Sequence, residues 1–385
     1  MRFVIFTHSL VSDWNHGNAH FLRGFATELA ARGHDLRIFE PRDGWSRRNL
    51  LTYHGDDPLE AFSRFYPALR SEFYDERTLH PREALRSADV VLVHEWNSHD
   101  LVARIGEYHA THPDFRLYFH DTHHRSATDP GAMARYDLQN YDGVLAYGGV
   151  IRERYRESGW ARQAWTWHEA ADTRIFRPLP GGKRDGDLVW IGNWGDGERC
   201  QEIREFLIEP VKQLRLKARV YGVRYPRHAL EELAAAGIEY GGWLPNYRVP
   251  EVFARYRVTV HIPRRPYVAA LPGIPTIRPF EALACGIPLV SAPWNDCEGL
   301  FAPGLDFLFA RDGADMVSRL DLLLHDCELS GALAAHGLET IRARHTCAHR
   351  VDELLQIAGT GTSARPVRNW QAEAPALPSM QGGSQ

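Results

Sequence analysis

An alternation that the chain runs through twice narrows the fold most. Residues 2–6, RFVIF, are a short apolar run, followed by a polar, glycine-bearing loop, SLVSDWNHGN. AHFLRGFATELAARG then carries Phe21, Leu22, Phe25 and Leu29 at helical spacing, Gly33 ends that pattern, and DLRIFE resumes as a strand. Strand, helix, strand in that order is a βαβ unit, the seed of a parallel, doubly wound sheet. ADVVLVHEW, RLYFHDTHH and YDGVLAYGG read as further buried strands, the first two ending in polar, His-bearing turns. After a Pro/Gly-rich linker, PLPGGKRDGD, the alternation restarts at DLVWIG and continues through ARVYGV, VTVHIP and IPLVSA. The expectation is an α/β chain of two Rossmann-like, doubly wound halves, residues 1–172 and 173–358, facing across a cleft. The last helical pattern, about 314–358, is free to pack back on the first half. Its continuation, residues 359–385, is rich in Gly, Ser, Pro and Gln, a composition that predicts disorder.

Charge and cysteine content exclude several partners. A net charge of −4, with 45 Lys and Arg spread along the chain, argues against a nucleic-acid binder held by a broad basic face. The five cysteines, Cys200, Cys285, Cys297, Cys327 and Cys347, show no CxxC pairing and read as thiols of a reducing compartment. MRFVIFTHSL lacks the long apolar region of a signal peptide, and no apolar run approaches the ~18 residues of a spanning helix. The expectation is a cytoplasmic protein with at most peripheral membrane contact, for which Arg47 and Arg48 in GWSRRN are the only suggestion.

In doubly wound folds ligands bind where loops leave the carboxyl ends of the strands, so four loops carry the functional reading. HGNAH places Gly17 and Asn18 before a helix start, where backbone N–H groups are free to face the cleft. FHDTHHRSATDP crowds His120, Asp121, His123 and His124 into one turn, good metal ligands but without the spacing of a strong metal motif. WIGNWGDGERC resembles a dinucleotide loop superficially, yet Cys200 stands at the third glycine position. What remains there is a phosphate-facing loop with Arg199 at the head of a helix. HIPRRPYVAALPGIPTIRPFEALACG brings Arg264, Arg265 and Arg278 near a helix that Gly286 should cap, with Glu281 expected in its first turn. A carboxylate beside free N–H groups and arginines suits a ribose and its diphosphate.

Taken together and in order, these segments resemble the GT-B glycosyltransferases of the large retaining group known as family 4, or glycosyl transferases group 1, in the spore-maturation-type branch. HGNAHFLRGFATELAARGHDLRIFE is similar to that family's first loop and helix, VHEWN to its His-Asp-Trp strand end, and HEAADTRIFRP to its interdomain segment. FHDTHH stands where the family carries an active-site histidine, best matched by His120, and PFEALACGIPLVSA resembles its nucleotide-binding signature. The resemblance implies a GT-B fold with an acceptor domain followed by a nucleotide-sugar domain. It implies Glu281 on the donor's ribose, and arginines neutralising the departing diphosphate in place of a metal cofactor. The partners implied are a nucleotide sugar and a glycan, lipid-linked or small-molecule acceptor. Two departures stand out. The family's first glutamate falls on Gly273, next to Ile274. Its Arg…Lys pair falls on Asn193 and, shifted by one residue, Arg199, leaving Arg264, Arg265 or Arg278 to supply the missing charge. An epimerase or phosphorylase on the same architecture, or a non-catalytic nucleotide-sugar binder, is the alternative reading.

Overall fold

The structure, a computed structural model, describes residues 1–15, 17–180 and 182–359. The tail expected to be disordered lies, from residue 360 on, outside the described residues. The alternation in the sequence becomes two sheets, every pairing in them parallel. The first runs β3-β2-β1-β4-β5-β6-β7, formed by β1 (Arg2–Phe6), β2 (Asp35–Pro41), β3 (Ser71–Tyr74), β4 (Val90–His94), β5 (Arg116–Asp121), β6 (Gly143–Ala146) and β7 (Ala164–Thr166). The second runs β10-β9-β8-β11-β12-β13, formed by β8 (Leu188–Ile191), β9 (Ala218–Tyr221), β10 (Glu239–Tyr240), β11 (Val258–His261), β12 (Leu289–Ser291) and β13 (Leu308–Phe309). Strands covered by helices on both faces need apolar residues on both, which is why VVLVH of β4 and LVWI of β8 are buried throughout.

Both sheets reverse direction of winding at the same point, between β1 and β4 in the first and between β8 and β11 in the second. Such switch points open crevices at the carboxyl ends of the strands. A shared apolar core fixes the two crevices against each other: it runs from Phe3 and Phe21 through Trp167 and Phe176 to Phe280 and Leu283. Trp167 lies edge-on to Phe21 and Phe25, at 5.0 and 5.1 Å, and donates from Nε1 to the Arg350 carbonyl (2.9 Å). Truncating so large a buried ring costs about 3–5 kcal/mol.

The last described helix, Cys347–Ile357, returns to the first sheet, where it packs against the helix Ala19–Ala31. Gly24 permits the approach, because a Cβ there would collide with Asp172 and Cys347. Arg32 seals the contact through Asp352 (2.5 Å) and the Ala348 carbonyl (3.1 Å). No helix among the described residues is long and apolar enough to cross a membrane.

Candidate functional site

The loops leaving β1, β4, β5, β8 and β11 meet across one cavity of about 640 Å³. Cross-domain bonds hold it in shape. Asp13, in the loop after β1, pairs with the buried Arg23 (2.8 Å) and accepts from Asn246 N (2.7 Å) and Trp243 Nε1 (3.2 Å) of the second domain. From the opposite side Glu298 accepts from Gly149 N (2.7 Å) and lies 3.1 Å from His168 Nε2.

The second-domain wall is cationic. Arg199 forks onto backbone carbonyls, donating to Asn193 O from Nε and Nη2 (3.0 and 2.6 Å) and to Ile262 O from Nη1 (3.1 Å). Its guanidinium lies 5.1 Å over the Trp190 ring, and no carboxylate among the described residues forms an ion pair with it. Burial, then the charge of Arg264, pushes its pKa down to about 9, so the cation persists at neutral pH. Arg264 is balanced by Glu198 (2.9 Å), and Asn193 accepts from Val223 N (2.9 Å) while its amide reaches Asn15 across the cleft. Arg278 lines the cavity with Thr276 and Ile277, at the head of the helix Ile277–Cys285, where the first N–H groups lack intrahelical partners. Gly17 and Asn18 line the cavity opposite, the Asn18 amide donating to Thr122 Oγ1 (3.0 Å) and meeting His94 Nε2 (2.8 Å).

Five of the residues singled out from the sequence do not line the cavity. The Ile277–Cys285 helix closes at Gly286 in the left-handed region, but it begins early enough that Glu281 is its fifth residue rather than part of its first turn. The Glu281 side chain is 0% exposed. It accepts from Asn246 Nδ2 (2.7 Å), pairs with Arg278 and lies 3.2 Å from His20 Nδ1. His20 Nε2 accepts from Asp172 N (2.8 Å), which places a neutral imidazole's proton on Nδ1, facing the carboxylate. Burial favours the neutral acid, but Arg278, His20 and Asn246 outweigh it and hold the Glu281 pKa below its ordinary value. Glu281 therefore stands behind the wall and orients Arg278 and Asn246, which do line it.

His120 is likewise behind the wall, packed among Phe21, His94 and Trp167, and burial lowers its pKa to about 3. The residues of that turn that reach the cavity are Thr122, His123 and His124. Two buried carboxyls brace the turn: Asp121 accepts from His123 N (3.2 Å) and Tyr155 Oη (2.9 Å), and Glu95 accepts from Thr122 N (2.8 Å). Burial raises both pKa values, that of Asp121 to about 6. Arg265 points away and pairs with Glu202 on the surface (3.0 Å). Ile274 is core, packed against Gly148. Gly273 has φ +88°, and a Cβ on it would run into the Glu298 carboxylate.

Among the lining residues that the sequence did not single out is Glu169. Glu169 follows β7 in HEAADTRIF and is 6% exposed, yet it makes no hydrogen bond or ion pair with any described residue. Burial, then the charge of Glu281, pushes its pKa up to about 8 against the pull of Arg278. The available signal was a single acidic residue among small ones, directly after a strand. Among the described residues no group of three or more His, Cys, Asp or Glu side chains is arranged to hold a metal ion.

Comparisons with known proteins give the fold. Residues 201–356 match the model of a family described as glycosyl transferase-like. The architecture is the GT-B fold of glycosyltransferases. The solved structures it resembles include Anabaena HepE in complex with UDP-glucose, at 12% identity and TM-score 0.66, covering 94% of this chain and 100% of that one. Sucrose-phosphate synthase from Thermosynechococcus elongatus aligns at 14% identity and TM-score 0.62, over 93% of this chain and 98% of that one. TarM of S. aureus aligns at 11% identity and TM-score 0.63, over 93% and 99%. No curated protein matches the chain.

Proposed function

We propose that the protein transfers a sugar from a nucleotide-diphosphate donor to a glycan, lipid-linked or small-molecule acceptor, with retention and without a metal. The observation that carries this reading is Arg199, a cation with no carboxylate partner among the described residues, set beside Arg264 and Arg278 on one wall of the cleft. When the bond from the anomeric carbon to the diphosphate breaks, negative charge collects on the leaving phosphate oxygens. Preorganised cations and helix-head N–H groups stabilise that charge more in the transition state than in the ground state. Each such donor contributes about 3 kcal/mol, or roughly two orders of magnitude in rate. That is the work a divalent metal would otherwise do. The likeness to HepE, solved with UDP-glucose, supports a nucleotide sugar as donor. The resemblance to the retaining group supports retention. Glu281 acts here by holding Arg278 and Asn246 in place.

The test is a panel of UDP-, GDP- and dTDP-sugars scored for thermal stabilisation and for nucleoside diphosphate release, with and without EDTA. One nucleotide should raise Tm, and release should persist in EDTA. Stabilisation by no nucleotide contradicts the reading, and abolition by EDTA contradicts its metal-free part.

A further inference from the structure

The Glu169 carboxyl is a cleft group whose chemistry the reading above leaves unused. It projects from the segment after β7 on the first-domain wall, almost wholly buried, and no described side chain or backbone group bonds to it. Its carboxyl opens onto the cavity rather than into the protein, so a ligand that fills the cavity and displaces water from it must supply a hydrogen-bond partner. The groups that face it come from three other elements. Glu281 and Arg278 act on it from the helix Ile277–Cys285, Tyr147 from the turn after β6, and Tyr267 from the helix Arg265–Ala270. On its own segment His168 is already committed to Glu298 and the Tyr147 carbonyl (3.0 Å).

We propose that Glu169 is a catalytic residue that, in its uncharged form, hydrogen-bonds a hydroxyl of the transferred sugar. This rests on the nucleotide-sugar reading. With the diphosphate on the arginine wall, the part of the donor that spans to the first-domain wall is the sugar. An ionised carboxylate beside a diphosphate and Glu281 would repel both. A carboxylic acid instead donates one hydrogen bond and accepts another, matching a hydroxyl that does the same. The raised pKa keeps the acid form dominant at neutral pH.

The test compares affinity for a nucleotide with affinity for its sugar conjugate. UDP with UDP-glucose, GDP with GDP-mannose, and dTDP with dTDP-glucose are titrated calorimetrically into wild type, Glu169→Gln and Glu169→Ala at pH 7 and pH 9. The ratio of the two affinities isolates the sugar's contribution, and retained nucleotide binding shows that each variant is folded. At pH 7 this ratio should fall about tenfold in Glu169→Ala, the loss of one buried hydrogen bond, and stay near wild type in Glu169→Gln. Between pH 7 and pH 9 it should fall in wild type and not in Glu169→Gln. An unchanged ratio in Glu169→Ala overturns this assignment alone. So does a Glu169→Gln variant as weak as Glu169→Ala with a pH-independent wild type, which would mark an ionised carboxylate. Binding of none of the three nucleotides by wild type overturns the reading of the cleft and this assignment with it.

Discussion

The two walls of the cleft come from the same strand order and differ in charge. After β8 and β11 the chain sets down Arg199 and Arg264, and Arg278 joins them from the helix Ile277–Cys285. After β1, β5 and β7 it sets down Gly17, Asn18, Thr122 and Glu169, none of them a cation. The doubly wound sheet thus decides where a ligand lies, and the loop residues decide which end of it is anionic. The same contrast holds between two carboxyls. Glu281 is saturated by three partners and held ionised, whereas Glu169 has none among the described residues and burial favours its neutral form.

The largest effect should come from Glu281→Ala, which leaves the half-buried Arg278 without its counter-charge and the buried Asn246 amide without its acceptor. Urea unfolding should show a loss of about 3–5 kcal/mol, and a loss under ~1 kcal/mol would break the contrast between the two carboxyls. Arg199→Lys keeps a charge but cannot span the Asn193 and Ile262 carbonyls. Its turnover should fall by about two orders of magnitude with the fold intact. Gly273→Ala forces a side chain into the left-handed region and against Glu298, and unfolding should report a loss of about 1–3 kcal/mol. A gentler effect is expected with pH. Glu169 in the folded chain binds a proton more tightly than in the unfolded chain, so its contribution is complete below about pH 4.5. That contribution is then lost as pH rises through about 8. Glu169→Gln should flatten that part of the stability profile. Smallest is Arg265→Ala, which removes an exposed pair with Glu202 and should change stability by less than ~0.5 kcal/mol and nucleotide binding not at all.

What was legible in the sequence follows burial. β1, β4, β5, β8, β11 and β12 are read directly as apolar runs because both their faces are covered. The strands that escaped, β3, β7, β10 and β13, are the four edges, two to four residues long and too short to show a pattern, where one neighbour suffices. In the site, Arg199, Arg264, Asn193, Gly17 and Asn18 were found because loops after strands converge on the cleft. His120 was misplaced because it is still inside β5, where side chains alternate between faces and a motif does not say which face holds the ligand. Glu281, expected in the first turn of its helix, lies just beyond it because the helix starts at Ile277. Glu169 was passed over because its segment reads as a linker, and only the closure of the two domains over it makes it a cleft residue.

The central claim is that the arginine wall receives a diphosphate, and the most direct measurement is calorimetric titration of UDP, GDP and dTDP into wild type and Arg278→Ala. The account predicts that one of them binds wild type and that its affinity falls at least about tenfold in the variant, the usual worth of a charged hydrogen bond. Binding of none of them by wild type, or equal binding by Arg278→Ala, would contradict it.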